Sequence, residues 1–187
     1  MSKKSKSFTT RKIVFSAAAI GLATVIANYI KLPSLPFGGS VTLFSMLFVV
    51  LPGYWFGPVV GICAGIAHGM IQFISNPYVV HPFQVILDYP LAFGALGLSG
   101  FFSQKKNGLL KGYLFGVFGR FVFASIAGVI FYTEYVGSFG GNIMAIMAGI
   151  LYNLSYLGPE CVLTTLVIAL PPVKNGMIYI KKLALGE

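Results

Sequence analysis

An isolated carboxylate, Asp88, stands in the otherwise apolar run FQVILDYPLAFGALGLSGFF. The run has about twenty residues, which is long enough to cross a bilayer. An ionised side chain at membrane depth costs roughly 2.5 to 3.5 kcal/mol, so such residues usually line a cavity and meet a partner. Because the chain has only four acidic residues, Asp88 is the best single indicator of what the protein handles.

Aromatic and amide side chains are expected at the depth of Asp88. Tyr89 follows it directly, Tyr78 lies in the preceding loop, Tyr132 lies near the end of the next apolar run, and Asn153 lies in the last one. Aromatic rings beside a carboxylate form a cage for a flat organic cation, and an amide adds a donor and an acceptor for a heteroaromatic edge. Tyrosines of an interfacial belt are the alternative explanation. Together with Asp88 and Asn153, they favour a binding cavity.

Two further charges, Arg120 and Glu160, are expected to neutralise each other. At a helical rise of 1.5 Å per residue, Glu160 lies about 25 Å from the outer edge and Asp88 about 10 Å from it. The heights of Arg120 and Glu160 differ by about 10 Å, which two long side chains can bridge. We therefore predict a structural ion pair between them, which leaves Asp88 without a protein counter-charge.

The elements that must position these residues are membrane helices. The chain has 187 residues, of which 57% are apolar and 9% charged, and a mean hydropathy of +0.86. This composition excludes an ordinary soluble domain. We predict an all-α integral membrane protein that forms a single transmembrane domain over residues 1–187. Its six spans are expected at 13–30, 41–56, 58–76, 83–102, 110–133 and 143–171.

The basic residues predict the orientation of these spans. Three Lys/Arg clusters, in residues 3–12, 105–111 and 174–182, fall on one side of a six-span bundle. By the positive-inside rule this side, with both termini, is cytoplasmic. Lys31 is the one outward exception. The net charge of +9 thus reflects topology, and we expect membrane lipids and no nucleic acid as partners.

Several local features carry smaller predictions. The basic and then apolar N-terminus is expected to be a retained first helix. Cys63 and Cys161 are expected to be buried structural thiols without a metal. Pro90 and Pro159 each remove a helical donor, so we expect local distortion beside Asp88 and beside Glu160. The run KLPSLPFGGSVTL favours a re-entrant or lid-like segment, with an ordinary loop as the alternative.

These strings resemble a known family. HPFQVILDYPLAFGALGLSGFF, with LPFGGSVTL before it and GRFVFASIAGVIFY and YNLSYLGPE after it, resembles the ThiT-type thiamine-specific substrate-binding subunits (S components) of energy-coupling factor (ECF) transporters. The resemblance implies a prokaryotic, multi-pass plasma-membrane protein that captures thiamine, or a related precursor or heteroaromatic cation, at the outer face. It implies no enzymatic activity and no bound cofactor.

The resemblance also implies partners. ATP would be used only by two cytoplasmic ATPase subunits, which act with a transmembrane coupling subunit. The family docks on that subunit through small residues of the first helix, which match Ala17 and Gly21 here. In the segment SAAAIGLATVIA these two residues lie one helical turn apart, and small residues at this spacing let another helix approach closely. Packing within the bundle is the alternative.

The site residues of the family match the cage described above, with two departures. Asp88, Tyr89, Asn153, Tyr78 and Tyr132 fall on its ligand-binding positions. Two polar contacts are missing, because Ala124 stands where the family usually has a histidine and Ala148 stands where it usually has a tyrosine.

Two other functions remain open from the residues alone. One is a solitary or proton-coupled carrier in which Asp88, His68 and Glu160 relay protons. The other is an intramembrane enzyme with Asp88 and Glu160 as an acid/base pair, which their estimated separation in depth disfavours.

Overall fold

The described part of the chain is helical throughout its regular structure. The computed structural model describes residues 10–33, 35, 39–131 and 141–187. Within these residues the only strand-like feature is an isolated antiparallel bridge between Lys31 and Thr42. The helices are α1 (Thr10–Tyr29), α2 (Ser45–Phe56), α3 (Pro58–Ser75), α4 (Pro82–Phe102), α5 (Gly108–Ile130), α6 (Gly141–Ala169) and α7 (Pro171–Leu185). The all-α prediction is confirmed.

Five of these helices are long and apolar enough to cross a membrane. They are Thr10–Tyr29, Pro58–Ser75, Pro82–Phe102, Gly108–Ile130 and the part of α6 over Ile146–Ala169. The remaining predicted span, 41–56, corresponds to α2, which is apolar but has only 12 residues. The count of six spans and the cytoplasmic termini therefore stay predictions.

Helix α2 occupies the centre of the bundle. Ten of its twelve residues are buried, and it packs against α1, α3 and the C-terminal part of α4. A helix that is apolar on all sides is stable only where other helices surround it. The central position of α2 therefore agrees with its almost entirely apolar sequence.

A row of glycines brings α3 against α4. Gly61, Gly65 and Gly69 recur every four residues and face one helix. Their backbones lie against the backbones of Gly97, Phe93 and Tyr89. Small residues at this spacing allow such close approach between membrane helices. This contact fixes the position of α4 and hence of Asp88.

The middle of α4 departs from α-helical geometry at Leu87–Leu91. Pro90 has no N–H to donate, and its ring crowds the carbonyl four residues earlier. The turn widens, so that the Ala92 N–H donates to the carbonyl of Leu87, five residues before it. The distortion predicted beside Asp88 is confirmed. The one expected beside Glu160 is wrong, because α6 remains helical through Pro159.

The C-terminal helix α7 was not predicted. Its Lys181 ammonium donates to the carbonyl of Ser103 and lies 4.3 Å from the centroid of the Tyr54 ring. Met177 and Ile180 pack against the core. A basic side chain and an apolar face therefore hold α7 on the end of the bundle where α4 and α5 are joined.

The cysteines differ from prediction in burial. Both are free thiols, but Cys63 is exposed on the surface of α3 and Cys161 is half-buried in α6. The glycine face of α3 is the one that packs inward, so Cys63 is turned toward the outside of the bundle.

Candidate ligand-binding site

A cavity of about 670 Å³, lined by both polar and apolar side chains, opens between α3, α4, α5, α6 and the segment before α2. Small-molecule sites commonly have about 300 to 1,000 Å³. All the predicted ligand-binding residues that the structure describes line this cavity, namely Asp88, Tyr89, Tyr78 and Asn153. The fifth, Tyr132, lies outside the described residues.

Asp88 is held by a residue one turn earlier on α4. Gln84 is almost completely buried and donates from Nε2 to Asp88 Oδ2 over 2.6 Å. Asp88 itself is only partly buried and faces the cavity. An uncharged donor thus orients the carboxylate, and Arg120 lines the same cavity.

Arg120 and Glu160 do not form the direct ion pair that we predicted. Among the described residues, Glu160 accepts from the hydroxyls of Thr42 at 2.5 Å and Ser45 at 3.2 Å, and from the Met46 N–H at 3.0 Å. The Arg120 guanidinium instead lies 4.0 Å from the centroid of the Phe93 ring. One donor from the segment before α2 and two from its first turn replace the cation.

The depth estimate for Glu160 was also misleading, since Glu160 and Asp88 line the same cavity. Helical rise gives a height along one helix and not the path of a loop between helices. The segment before α2 enters the bundle, where Thr42 and Ser45 are buried. This favours the re-entrant interpretation of that segment.

Asn153 is more constrained than the sequence indicated. Its Nδ2 donates to the carbonyls of Gly149 at 2.8 Å and Ala124 at 3.1 Å, and its Oδ1 accepts from the Tyr156 hydroxyl at 2.6 Å. Both N–H groups are therefore used within the protein. An amide oxygen has two lone pairs, so Asn153 has one acceptor position left for a ligand N–H.

Sequence reasoning missed several lining residues. Tyr152 and Tyr156 stand on either side of Asn153, with ring centroids 5.7 Å apart, and the Tyr152 hydroxyl accepts from the Gly39 N–H at 2.8 Å. Gln84 was missed as well, although a polar residue four positions before Asp88 on an apolar helix is a usable signal. Other missed residues that line the cavity are Lys31, Gln72 and Asn76.

His68 lies behind the cavity wall, next to the lining residues Gln72 and Phe93. It is fully buried, with Nδ1 3.3 Å from the Thr24 hydroxyl and Nε2 3.5 Å from Gln72 Nε2, and its ring packs edge-on against Phe93. Among the described residues it is not part of the cavity lining. The structure thus favours a packing role for His68 over a proton relay with Asp88.

The sequence matches a known family profile over residues 13–180, and the family is described as thiamine transporter protein (Thia_YuaJ). The chain belongs to this family. The match spans nearly all of the seven helices and confirms the resemblance that the sequence strings indicated.

Two curated relatives of this chain are thiamine transporters named ThiT. The one from Bacillus subtilis is 34% identical over 93 residues, which are 49% of this chain and 46% of the relative. The one from Lacticaseibacillus paracasei is 31% identical over 128 residues, or 62% of this chain and 58% of the relative. The alignments thus span about half of the length of these relatives.

A solved ThiT from Listeria monocytogenes has a similar fold. Its TM-score is 0.62 at 21% identity, over 94% of both chains. With the five apolar helices, this similarity and the family membership identify the chain as a multi-pass membrane protein of the ThiT fold.

Two alanines distinguish this Thia_YuaJ member from the pattern that the resemblance implies. Ala124 and Ala148 both line the cavity, at the positions where a histidine and a tyrosine are usual. Ser125, the polar residue next to Ala124, is not in the lining as the structure describes it, and neither is His68.

Proposed function

We propose that this chain is the substrate-binding subunit of an ECF-type vitamin uptake transporter, and that it captures thiamine or a closely related heteroaromatic cation at the outer face. The observation that carries the proposal is the position of Asp88, whose carboxylate faces a cavity of about 670 Å³ among tyrosines. Membership of the Thia_YuaJ family and the names of the ThiT relatives support it.

The cavity offers each part of such a ligand a matching group. Asp88 neutralises the positive ring. Tyr78, Tyr89, Tyr152 and Tyr156 line the cavity around it, and rings whose centroids lie within about 6 Å of a cation attract it. The free lone pair of Asn153 Oδ1 accepts from an exocyclic amino group. This set of contacts selects a flat cation that carries an N–H donor.

The energy source is proposed to be external. The sequence has no phosphate-binding loop of the G-x-x-x-x-G-K type, so import would be driven by two ATPase subunits through a membrane coupling subunit. Ala17 and Gly21 are the proposed docking residues. Both are exposed on α1, and a Cβ added at Gly21 would meet no atom within 4 Å. This face of α1 is therefore open to a partner helix.

Calorimetry tests the ligand assignment. Purified wild-type protein is titrated with thiamine, and then with its aminopyrimidine and thiazolium halves. We expect saturable 1:1 binding of thiamine and much weaker binding of each half, because each half uses only part of the cavity. Absence of heat with thiamine and with both halves would sink the substrate claim.

Uptake tests the subunit role. Vesicles that hold this chain with a coupling subunit and its ATPases are expected to accumulate thiamine only when ATP is present inside. Vesicles that hold the chain alone are expected to accumulate none. Accumulation by the chain alone, abolished when a proton gradient is collapsed, would instead identify a proton-coupled carrier.

A further inference from the structure

One edge of the cavity is a loop whose polar groups are held by side chains of α4. Residues 76–80, here called the rim segment, join α3 to α4 without helical structure. Asn76, Pro77 and Tyr78 from this segment line the cavity. A loop of this kind has few backbone hydrogen bonds of its own, so its position depends on the side chains that contact it.

Two side chains of α4 anchor the rim segment at different points. The Tyr89 hydroxyl accepts from the Tyr78 N–H at 3.0 Å and donates to the Asn76 carbonyl at 3.1 Å. Gln84 Oε1 accepts from the Val80 N–H at 3.2 Å, and Gln84 Nε2 lies 3.4 Å from the Tyr78 carbonyl. Tyr89 thus holds the first half of the segment and Gln84 the second.

Gln84 differs from Tyr89 because it also donates to Asp88. Its amide makes three hydrogen bonds. The amide oxygen accepts from the Val80 N–H, and the amide nitrogen donates to Asp88 Oδ2 and to the Tyr78 carbonyl. A reversed amide would place the oxygen against a carboxylate and a carbonyl, and the nitrogen against an N–H. The orientation of the Gln84 amide is therefore fixed by Asp88 and by the rim segment together.

We propose that Gln84 is a positioning residue that couples occupancy of Asp88 to the position of the rim segment. A cation bound to Asp88 holds the carboxylate where it accepts from Gln84 Nε2. The Gln84 amide then keeps the orientation in which its oxygen accepts from the Val80 N–H. Coupling of this kind is reciprocal, so a held rim also favours the bound cation. The anchoring is independent of the ligand, whereas the coupling rests on the function proposed above.

Hydrogen exchange resolved at single amides tests the anchoring in the unliganded protein. In Gln84→Leu we expect exchange at Val80 to rise about tenfold, because its acceptor is lost, while Tyr78 changes little. In Tyr89→Phe we expect the reverse pattern. The Gln84→Glu variant keeps a side-chain oxygen that can accept from the Val80 N–H. Its Val80 amide is therefore expected to exchange more slowly than the Val80 amide of Gln84→Leu. Equal Val80 exchange in wild type and Gln84→Leu would overturn the anchoring.

Thiamine added at saturation tests the coupling. We expect it to slow exchange at Val80 in wild type and to have no effect there in Gln84→Leu or Gln84→Glu, in which the donor to Asp88 is gone. The dissociation rate of thiamine is expected to rise about tenfold in Gln84→Leu, with a smaller change in its association rate. Protection of Val80 by thiamine that persists in both variants would overturn the coupling.

The two proposals fail in different ways. If thiamine does not bind to wild type, both the proposed ligand and its coupling are wrong, and exchange without ligand still decides whether Gln84 anchors the rim. If thiamine binds and Val80 responds equally in all three proteins, the function stands and Gln84 has no coupling role.

Discussion

The cavity residues show how an expensive charge is accommodated inside a helical bundle. Asp88 is oriented by Gln84, whereas Glu160 is satisfied by three donors. The two carboxylates line one cavity but have different local environments. Protein donors satisfy Glu160, and Asp88 is the carboxylate that we propose to bind the ligand.

The contacts of Glu160 predict a structural role. Glu160→Gln replaces one carboxylate oxygen by an N–H₂ group that faces existing donors, so we expect the unfolding free energy to fall by about 1 to 3 kcal/mol. The check is the thermal midpoint in detergent, with Glu187→Gln as the matched control, since Glu187 is exposed at the C-terminus. An unchanged midpoint for Glu160→Gln would contradict the assignment.

At this scale the sequence predicted which residues cluster better than it predicted their contacts. Asp88, Tyr78, Tyr89 and Asn153 line one cavity, as expected, and their ligand-binding role stays a prediction. The helical rise gave the height of each side chain but not the direction in which it points from its helix. An ion pair between Glu160 and Arg120 was therefore predicted from height alone. The donors that replaced Arg120 come from Thr42, before α2, and from Ser45 and Met46 in its first turn, and no periodicity encodes how this part of the chain approaches Glu160.

The helices position the site through close packing and one proline. The glycine face of α3 lets the backbone of α4 approach, and Pro90 widens the turn at Leu87–Leu91. Asp88 and Tyr89, which are consecutive in sequence, both reach the cavity from this turn. Both prolines were readable from sequence, but Pro90 widens a turn of α4 whereas α6 stays helical through Pro159, a difference that the sequence pattern does not encode.

The glycine face predicts a sharp loss of stability on substitution. Gly65→Val adds a side chain where the Phe93 carbonyl lies, so we expect a loss of about 1 to 3 kcal/mol and weaker ligand binding as α4 moves outward. Thermal unfolding in detergent and thiamine titration measure these effects. Gly176→Ala is the control, because a Cβ there meets no atom within 4 Å. Equal thermal unfolding midpoints for Gly65→Val and Gly176→Ala would refute the role of the glycine face in packing α3 against α4.

The helices of the whole molecule could be predicted from composition more directly than the contacts of the site. The apolar runs predicted helices at nearly the observed positions, and the family match covers residues 13–180. The missing element was α7, whose mixed basic and apolar residues gave no membrane signal. Its contacts with Ser103 and Tyr54 are long-range in sequence, so they appear only once the bundle is assembled.

The orientation of the bundle is predicted by its basic residues. In a background without Cys63 and Cys161, we expect Lys106→Cys to react with a membrane-impermeant thiol reagent only after the membrane is opened. Asn76→Cys, at the rim segment, is expected to react in intact cells. Both residues are exposed, so access is set by the side of the membrane. The opposite pattern would mean that the bundle is inverted.

The central claim is that Asp88 binds the ligand through charge, and calorimetry of one variant with two ligands tests it most directly. Wild type and Asp88→Asn are titrated with thiamine and with an uncharged analogue in which a thiophene replaces the thiazolium ring. Removing one partner of a buried charge pair costs about 2 to 5 kcal/mol, so thiamine affinity is expected to fall about 30-fold or more, and affinity for the uncharged analogue is expected to change far less. Equal losses for both ligands, or no loss for thiamine, would contradict the account.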